Sequence, residues 1–182
     1  MCLSLGLAGF NLCAGADSPA WKQYADPLHH FLIHYPDTTK AETMQSQEPG
    51  LLSRVVFEFE QAFDSGADVG SLKFRFQISV WQNTNHLTAE AWAKQNLKPQ
   101  FTLETRPIQI AGRKGVLVKT TNLVWPTVKI FVVDQDCLYE LSHMDIAANK
   151  LLLSDDTRSR WVAAFGRMVE SFRILSQDGG SK

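Results

Sequence analysis

Apolar and polar residues alternate in short runs along most of the chain. In Phe31–Tyr35, Phe31, Ile33 and Tyr35 fall on one face and Leu32 and His34 on the other, which is the period of a β-strand. Pro36-Asp37 ends that run. Val55–Phe59 repeats it, with Val55, Phe57 and Phe59 set against Val56 and Glu58. In Phe74–Trp81, Phe74, Phe76, Ile78 and Val80 face one way, and Lys73, Arg75, Gln77 and Ser79 face the other. That pattern predicts a strand with one dry face and one wet face. Further strands are predicted at Pro107–Ala111, Val116–Thr120, Val128–Val133 and Leu138–His143. A turn at Gly112–Gly115 and a hairpin through Asp134-Gln135-Asp136 connect them. Trp21–Ala25 is a short mixed segment before an Asp26-Pro27 turn. Thr38–Gly50 is polar and closes on Pro49-Gly50, so it reads as a loop, and Asp64-Ser65-Gly66 starts another.

Two segments carry helical period instead. Thr88 is placed as an N-cap, with Glu90 in the first turn, and Ala89, Trp92, Ala93 and Leu97 share one face before Lys98-Pro99 stops the helix. Nearer the C-terminus, Trp161, Phe165, Met168, Phe172 and Leu175 recur at steps of four, three, four and three, the seam of an amphipathic helix. Ser154–Thr157 supply its capping side chains, and Arg158 and Arg160 fall toward the polar side. The order strand-rich, helix, strand-rich, helix predicts an α+β domain whose mostly antiparallel sheet is covered by helices.

The first sixteen residues break from this pattern. They hold no Lys, Arg, Asp or Glu, and Leu3–Ala8 with Phe10 and Leu12 make a short apolar run. Ala14-Gly15-Ala16 closes it with a small-x-small site, and Asp17-Ser18-Pro19 follows. The expectation is a secretory leader over 1–16, a single domain over 17–176 and a flexible tail over 177–182. A leader normally opens with positive charge, which Met1–Ser4 lacks, so the sequence leaves open whether the natural leader is longer. A buried or disordered N-terminal tail is the alternative. The run is too short to span a bilayer, which needs about 20 residues. A lipid anchor on Cys13 ranks lower, because Leu12 stands where Gly, Ala or Ser usually precedes an acceptor Cys. The predicted location is periplasmic or secreted.

Charge and cysteine content narrow the chemistry. A net charge of -1 gives no basic footprint for nucleic acid. Beyond the leader only Cys137 remains, so the mature chain has no internal disulfide and no metal site built from several Cys. Cys137 reads as a small buried apolar residue. A thiol nucleophile would need a base beside it, and only folding could bring His143 or His86 there. His30 and His34 share one strand face but stand roughly 13 Å apart at strand rise, too far for one metal ion. No Gly-x-Ser-x-Gly, His-Glu-x-x-His or phosphate-loop motif occurs. No catalytic, cofactor or metal residue is therefore assigned, and the Phe-rich strand and the Trp161 seam are read as core. Trp125, between two predicted strands and followed by Pro126, is the one candidate for anchoring a partner. Packing over the sheet end is its alternative role.

Two stretches carry a family resemblance. Trp21-Lys22-Gln23-Tyr24-Ala25-Asp26, followed by His30-Phe31-Leu32-Ile33-His34-Tyr35-Pro36, resembles the opening of PsbP-like domains. Phe165-Gly166-Arg167-Met168-Val169-Glu170-Ser171-Phe172 is similar to their closing helix. The resemblance covers about residues 20–175, with Asp37-Thr38-Thr39 where a Trp often follows the Pro. It implies an α/β/α sandwich around an antiparallel sheet. Plant and cyanobacterial members are extrinsic, lumenal subunits of photosystem II, others are bacterial envelope proteins, and a structural relative is a nuclear-import factor that binds Ran. No shared catalytic residues define the fold, so the resemblance carries over no active site. The expectation is a non-catalytic exported accessory protein that binds an envelope or membrane-complex protein, lumenal if the source is photosynthetic. A small-molecule or metal-binding envelope protein, with a cleft between sheet and helix, is the alternative. A hydrolase of unrecognised type comes third.

Overall fold

Phe57 lies directly across from Phe76 in the central hairpin, and Val55, Phe59, Phe74, Ile78 and Val80 point to the same side. The computed structural model describes residues 20–45, 47–64, 69–121, 125–148 and 153–175. In chain order its strands are β1 (Trp21–Asp26), β2 (Phe31–Pro36), β3 (Lys40–Met44), β4 (Leu51–Asp64) and β5 (Val69–Gln82). After helix α1 (Ala89–Asn96) come β6 (Thr102–Ile110), β7 (Arg113–Thr121), β8 (Pro126–Asp134) and β9 (Cys137–Met144). Helix α2 (Asp155–Ser171) and the two-residue β10 (Arg173–Ile174) close the chain.

Seven strands form one antiparallel sheet in the order β3-β4-β5-β9-β8-β7-β6. A second sheet of three strands, β1-β2-β10, packs with α2 over one face of the first. Between these layers Phe31, Phe57, Phe76, Phe165 and Phe172 are wholly buried. Burying each such ring contributes about 1.5–3 kcal/mol. Helix α1 covers part of the opposite face, where Ala89 and Ala93 pack with Val118, Phe131 and Leu138. The architecture is the expected α+β sandwich with an antiparallel sheet between helical layers.

The caps follow the sequence. Thr88 Oγ1 accepts from the Ala91 N–H at 3.2 Å and Ser154 Oγ from the Thr157 N–H at 3.3 Å. Each satisfies one of the orphan donors of a helix start. At the Asp134–Cys137 hairpin, Gln135 takes φ 50°. The turn before β7 is shorter than expected, since only Ala111-Gly112 lie outside the strands, and Gly115 sits inside β7. A Cβ at Gly115 would meet the Phe131 carbonyl oxygen at 2.6 Å, so close strand approach demands glycine there.

Several boundaries move. Thr38–Gly50 is not all loop, because Lys40–Met44 pairs with β4 as an edge strand. Its exposed Lys40, Glu42, Thr43 and Met44 give little alternation, so only the partner strand makes it a strand. Trp21–Ala25 becomes strand for the same reason, by pairing with β2. The β4–β5 hairpin runs well beyond its predicted cores, and β6 starts at Thr102 with Pro107 on a sheet edge, where a missing N–H is tolerated. At the C-terminus the helix stops at Ser171. Phe172 takes φ -61°, ψ 131°, so Leu175 lies beyond the helix and is exposed. Arg158 is also less wet than predicted, with its side chain 18% exposed and ion-paired to Asp155. Residues 1–16, Ser65-Gly66, Leu123-Val124 and the tail at 177–182 lie outside the described residues.

Candidate functional site

The turn between β1 and β2 is built on one carboxylate. Asp26 Oδ1 accepts from the backbone N–H groups of Leu28 (3.1 Å) and His29 (2.9 Å). Pro27 presets the backbone between them. Asp26 Oδ2 faces His29 Nδ1 at 2.9 Å and accepts from Ser53 Oγ at 3.2 Å. The turn is held at two further points: Tyr139 donates its hydroxyl to the His29 carbonyl at 2.9 Å, and the Leu175 N–H donates to the His30 carbonyl at 2.7 Å. Burial by itself would raise the Asp26 pKa. The hydrogen bonds and charge of His29, with the Ser53 hydroxyl, outweigh it and hold the carboxyl below its ordinary value.

This clasp pins the β1–β2 turn against the start of β4 and leaves Leu28 77% exposed at its tip. Leu52 emerges next to Ser53, at a register shift between Leu51 and Ser53, because a bulge re-aims the side chain it displaces. Met44 ends β3 beside them. Together they rim an open cleft of about 550 Å³, whose walls include Tyr24, Asp26, His29, Thr43 and Arg54. Three of the six exposed large apolar side chains among the described residues, Leu28, Met44 and Leu52, thus border one cleft. The charged groups of its walls are paired: Asp26 with His29, and Arg54 with both carboxylate oxygens of Glu48 at 2.8 and 3.1 Å.

The Asp26, His29 and Ser53 side chains do not form a nucleophilic relay. Both His29 and Ser53 face the same carboxylate oxygen, so the carboxylate stands between the hydroxyl and the imidazole. A serine nucleophile needs the imidazole itself as its base. The arrangement instead shapes a loop.

The other sequence candidates do not converge here. Trp125 is half-buried just before β8. It lies by the Met144 end of β9, whereas Leu51 lies by the Leu138 end, about 20 Å away at strand rise. His30 is in the turn with φ 51°, not on the strand face it was expected to share with His34. The His34 backbone N–H donates to Ser171 Oγ at 2.9 Å, tying β2 to α2. Cys137 is half-buried, not wholly buried, because it opens β9 at a hairpin. Burial pushes its thiol pKa up, and Asp136 and Asp134 push it further. His143 lies at the far end of the same strand, and His86 is paired with Asp136 at 3.3 Å. Among the described residues no three His, Cys, Asp or Glu side chains gather as metal ligands.

Sequence reading missed Asp26, His29, Ser53, Leu28, Met44 and Leu52. The available signals were Asp-Pro-x-His, which favours a side-chain-capped turn, and two leucines placed in turn-flanking positions.

No family model and no curated protein sequence matches the chain. Among solved structures, cyanobacterial PsbP (CyanoP) from Synechocystis, determined in solution, superposes with a TM-score of 0.56. The match covers 91% of this chain and 99% of that one at 13% identity. The fold is PsbP-like. A crystal structure from Bacteroides thetaiotaomicron matches with a TM-score of 0.50 and 11% identity, over 87% of this chain and 50% of that one. This chain therefore spans about half of that second protein. Within the PsbP-like sandwich, the cleft sits where the small sheet meets the β3–β4 margin of the large one. Among the described residues no helix is long and apolar enough to cross a membrane.

Proposed function

We propose that this chain is an exported, non-catalytic accessory protein that acts by docking another protein of the envelope or of a membrane complex. The cleft rimmed by Leu28, Met44 and Leu52 is the docking face. One observation carries the reading: half of the exposed large apolar side chains among the described residues cluster at this cleft. Exposed apolar groups scattered singly need no explanation, whereas a cluster with a polar border marks an interaction site. The PsbP-like fold agrees with an accessory role.

The test is capture from an envelope fraction with four baits: the wild-type chain, a Leu28→Ser/Leu52→Ser double variant, Leu103→Ser as an exposed control, and Trp125→Ala. The wild-type and control baits are expected to retain the same partner. The double variant is expected to lose at least tenfold, about 1.4 kcal/mol, with unchanged thermal stability. Loss confined to Trp125→Ala would move the docking face to the opposite sheet end. Turnover in a broad hydrolase screen, abolished by one polar substitution, would overturn the non-catalytic reading.

A further inference from the structure

We propose that the cleft receives an uncharged, extended segment of a partner polypeptide, which pairs through its backbone with the open edge of β1. The proposal rests on the docking reading above and names the chemistry of the occupant. Two sheet margins meet at this cleft. β1 pairs only with β2, and β3 only with β4, among the described residues. Each strand therefore presents one unpaired edge, and residues Tyr24–Asp26 of the first, with Thr43 and Met44 of the second and Gln45 just after it, line the cleft. An unpaired strand edge is a row of backbone donors and acceptors ready for another strand.

Three classes of occupant are separated by what they would leave unsatisfied. A lipid chain or apolar ligand would cover the Leu28, Met44 and Leu52 side chains but would bury edge N–H and C=O groups without partners, which is costly. A charged segment would find no free counter-charge among the described residues lining the cleft, since Asp26 is paired with His29 and Arg54 with Glu48. An extended neutral peptide satisfies both demands. Its backbone completes the edge, and every second side chain falls on the apolar rim. Of the two edges, β1 is favoured. β3 presents two charges, Lys40 and Glu42, along its short length, and charges on an edge strand oppose pairing. The one ammonium of β1, Lys22, lies outside the cleft-lining Tyr24–Asp26 and donates to the Asp37 carbonyl at 3.0 Å. The Asp26 clasp also holds the cleft end of β1 in place before binding, which lowers the ordering cost of association.

The experiment uses a phage-displayed random dodecapeptide library against the full chain, with counter-selection on the Leu28→Ser/Leu52→Ser variant. Leu28 and Leu52 are exposed, so that variant leaves the core intact. Enriched peptides are expected to alternate apolar and polar residues and to carry little charge. One enriched peptide is then synthesised with single backbone N-methyl groups at successive positions. Methylation at every second residue is expected to weaken binding at least tenfold, and methylation between those positions to be tolerated. Even tolerance of N-methylation at all positions would overturn the strand-pairing proposal. So would enrichment of charged peptides, or no enrichment over the variant. If partner capture still depends on Leu28 and Leu52 in those cases, the docking face stands and only the extended-segment reading fails.

Discussion

The imidazole of His143 lies nearly parallel to Phe76, with ring centroids 5.8 Å apart and 12° between planes, and 4.9 Å from the Phe165 ring. It lies between α2 and the sheet, with Nδ1 2.7 Å from the Met144 carbonyl. Burial drives its pKa below the ordinary value, and the Met144 carbonyl and Asp145 only partly oppose that. The native state therefore favours the neutral ring more than the unfolded chain does. The sign follows: this contribution to stability is fully present above the unfolded value of about 6.5 and is lost as pH falls through the lower native value. Urea unfolding at pH 8 and pH 5 is expected to show lower stability in acid, with the difference reduced in His143→Gln. An unchanged pH dependence in that variant would show that other groups set it. In the sequence, His143 stood out as a histidine at a strand end and as a base that only folding could bring to Cys137, not as part of the core. Its two aromatic neighbours come from β5 and α2, so no local pattern could place it.

At the scale of elements, α2 and its exit decide how the upper layer is held. Phe172 is wholly buried against Phe31 and Tyr139, with ring centroids 5.9 and 5.8 Å away. Phe172→Ala is expected to cost about 3–5 kcal/mol, the range for deleting a buried aromatic ring. Arg158→Ala removes an ion pair to the exposed Asp155 and is expected to cost no more than about 1 kcal/mol. Chemical denaturation of both variants measures the contrast, and equal effects would mean that the seam does not dock. The seam was legible through Phe172 because helical period and burial agree up to that point. It failed at Leu175 because the backbone turns extended at Phe172 and the next two residues pair with β2. Two-residue strands leave no periodic trace.

Over the whole molecule, the large sheet is shielded unevenly. Helix α1 spans only Ala89–Asn96 and covers part of one face. Over β4 and β5 the same side of the sheet carries charged groups, with Glu58 accepting from Lys73 and Arg75. Those hydrogen bonds, Lys73 first and then Arg75, hold the Glu58 carboxyl below its ordinary pKa. Met44 stands where this wet, paired surface gives way to the Leu28 and Leu52 rim of the cleft, the face proposed for docking. The proposed export belongs to this scale too. When the chain is produced in a secreting host, cleavage before Asp17 is expected from the Ala14-Gly15-Ala16 site. Intact-mass measurement of the exported protein should give the shortened chain, and recovery of full-length protein from the cytosol would contradict export.

The local sequence determined the inner faces of β2, β4 and β5 through alternation, the two helix starts at Thr88 and within Ser154–Thr157 through capping, and the α+β class through element order, while short motifs carried the PsbP-like resemblance. These depend on neighbours a few residues apart, where period and capping chemistry act. Tertiary structure alone decided that Lys40–Met44 is a strand, that β1, β2 and β10 form a sheet of their own, and that Trp125 lies far from the apolar cleft. It also brought Asp26 to Ser53, which are 27 residues apart in the chain. The physical reason is the same in each case. An edge strand takes its conformation from backbone hydrogen bonds to a partner strand, and the cleft takes its shape from loops pinned by single side chains. Neither needs a repeating pattern of its own.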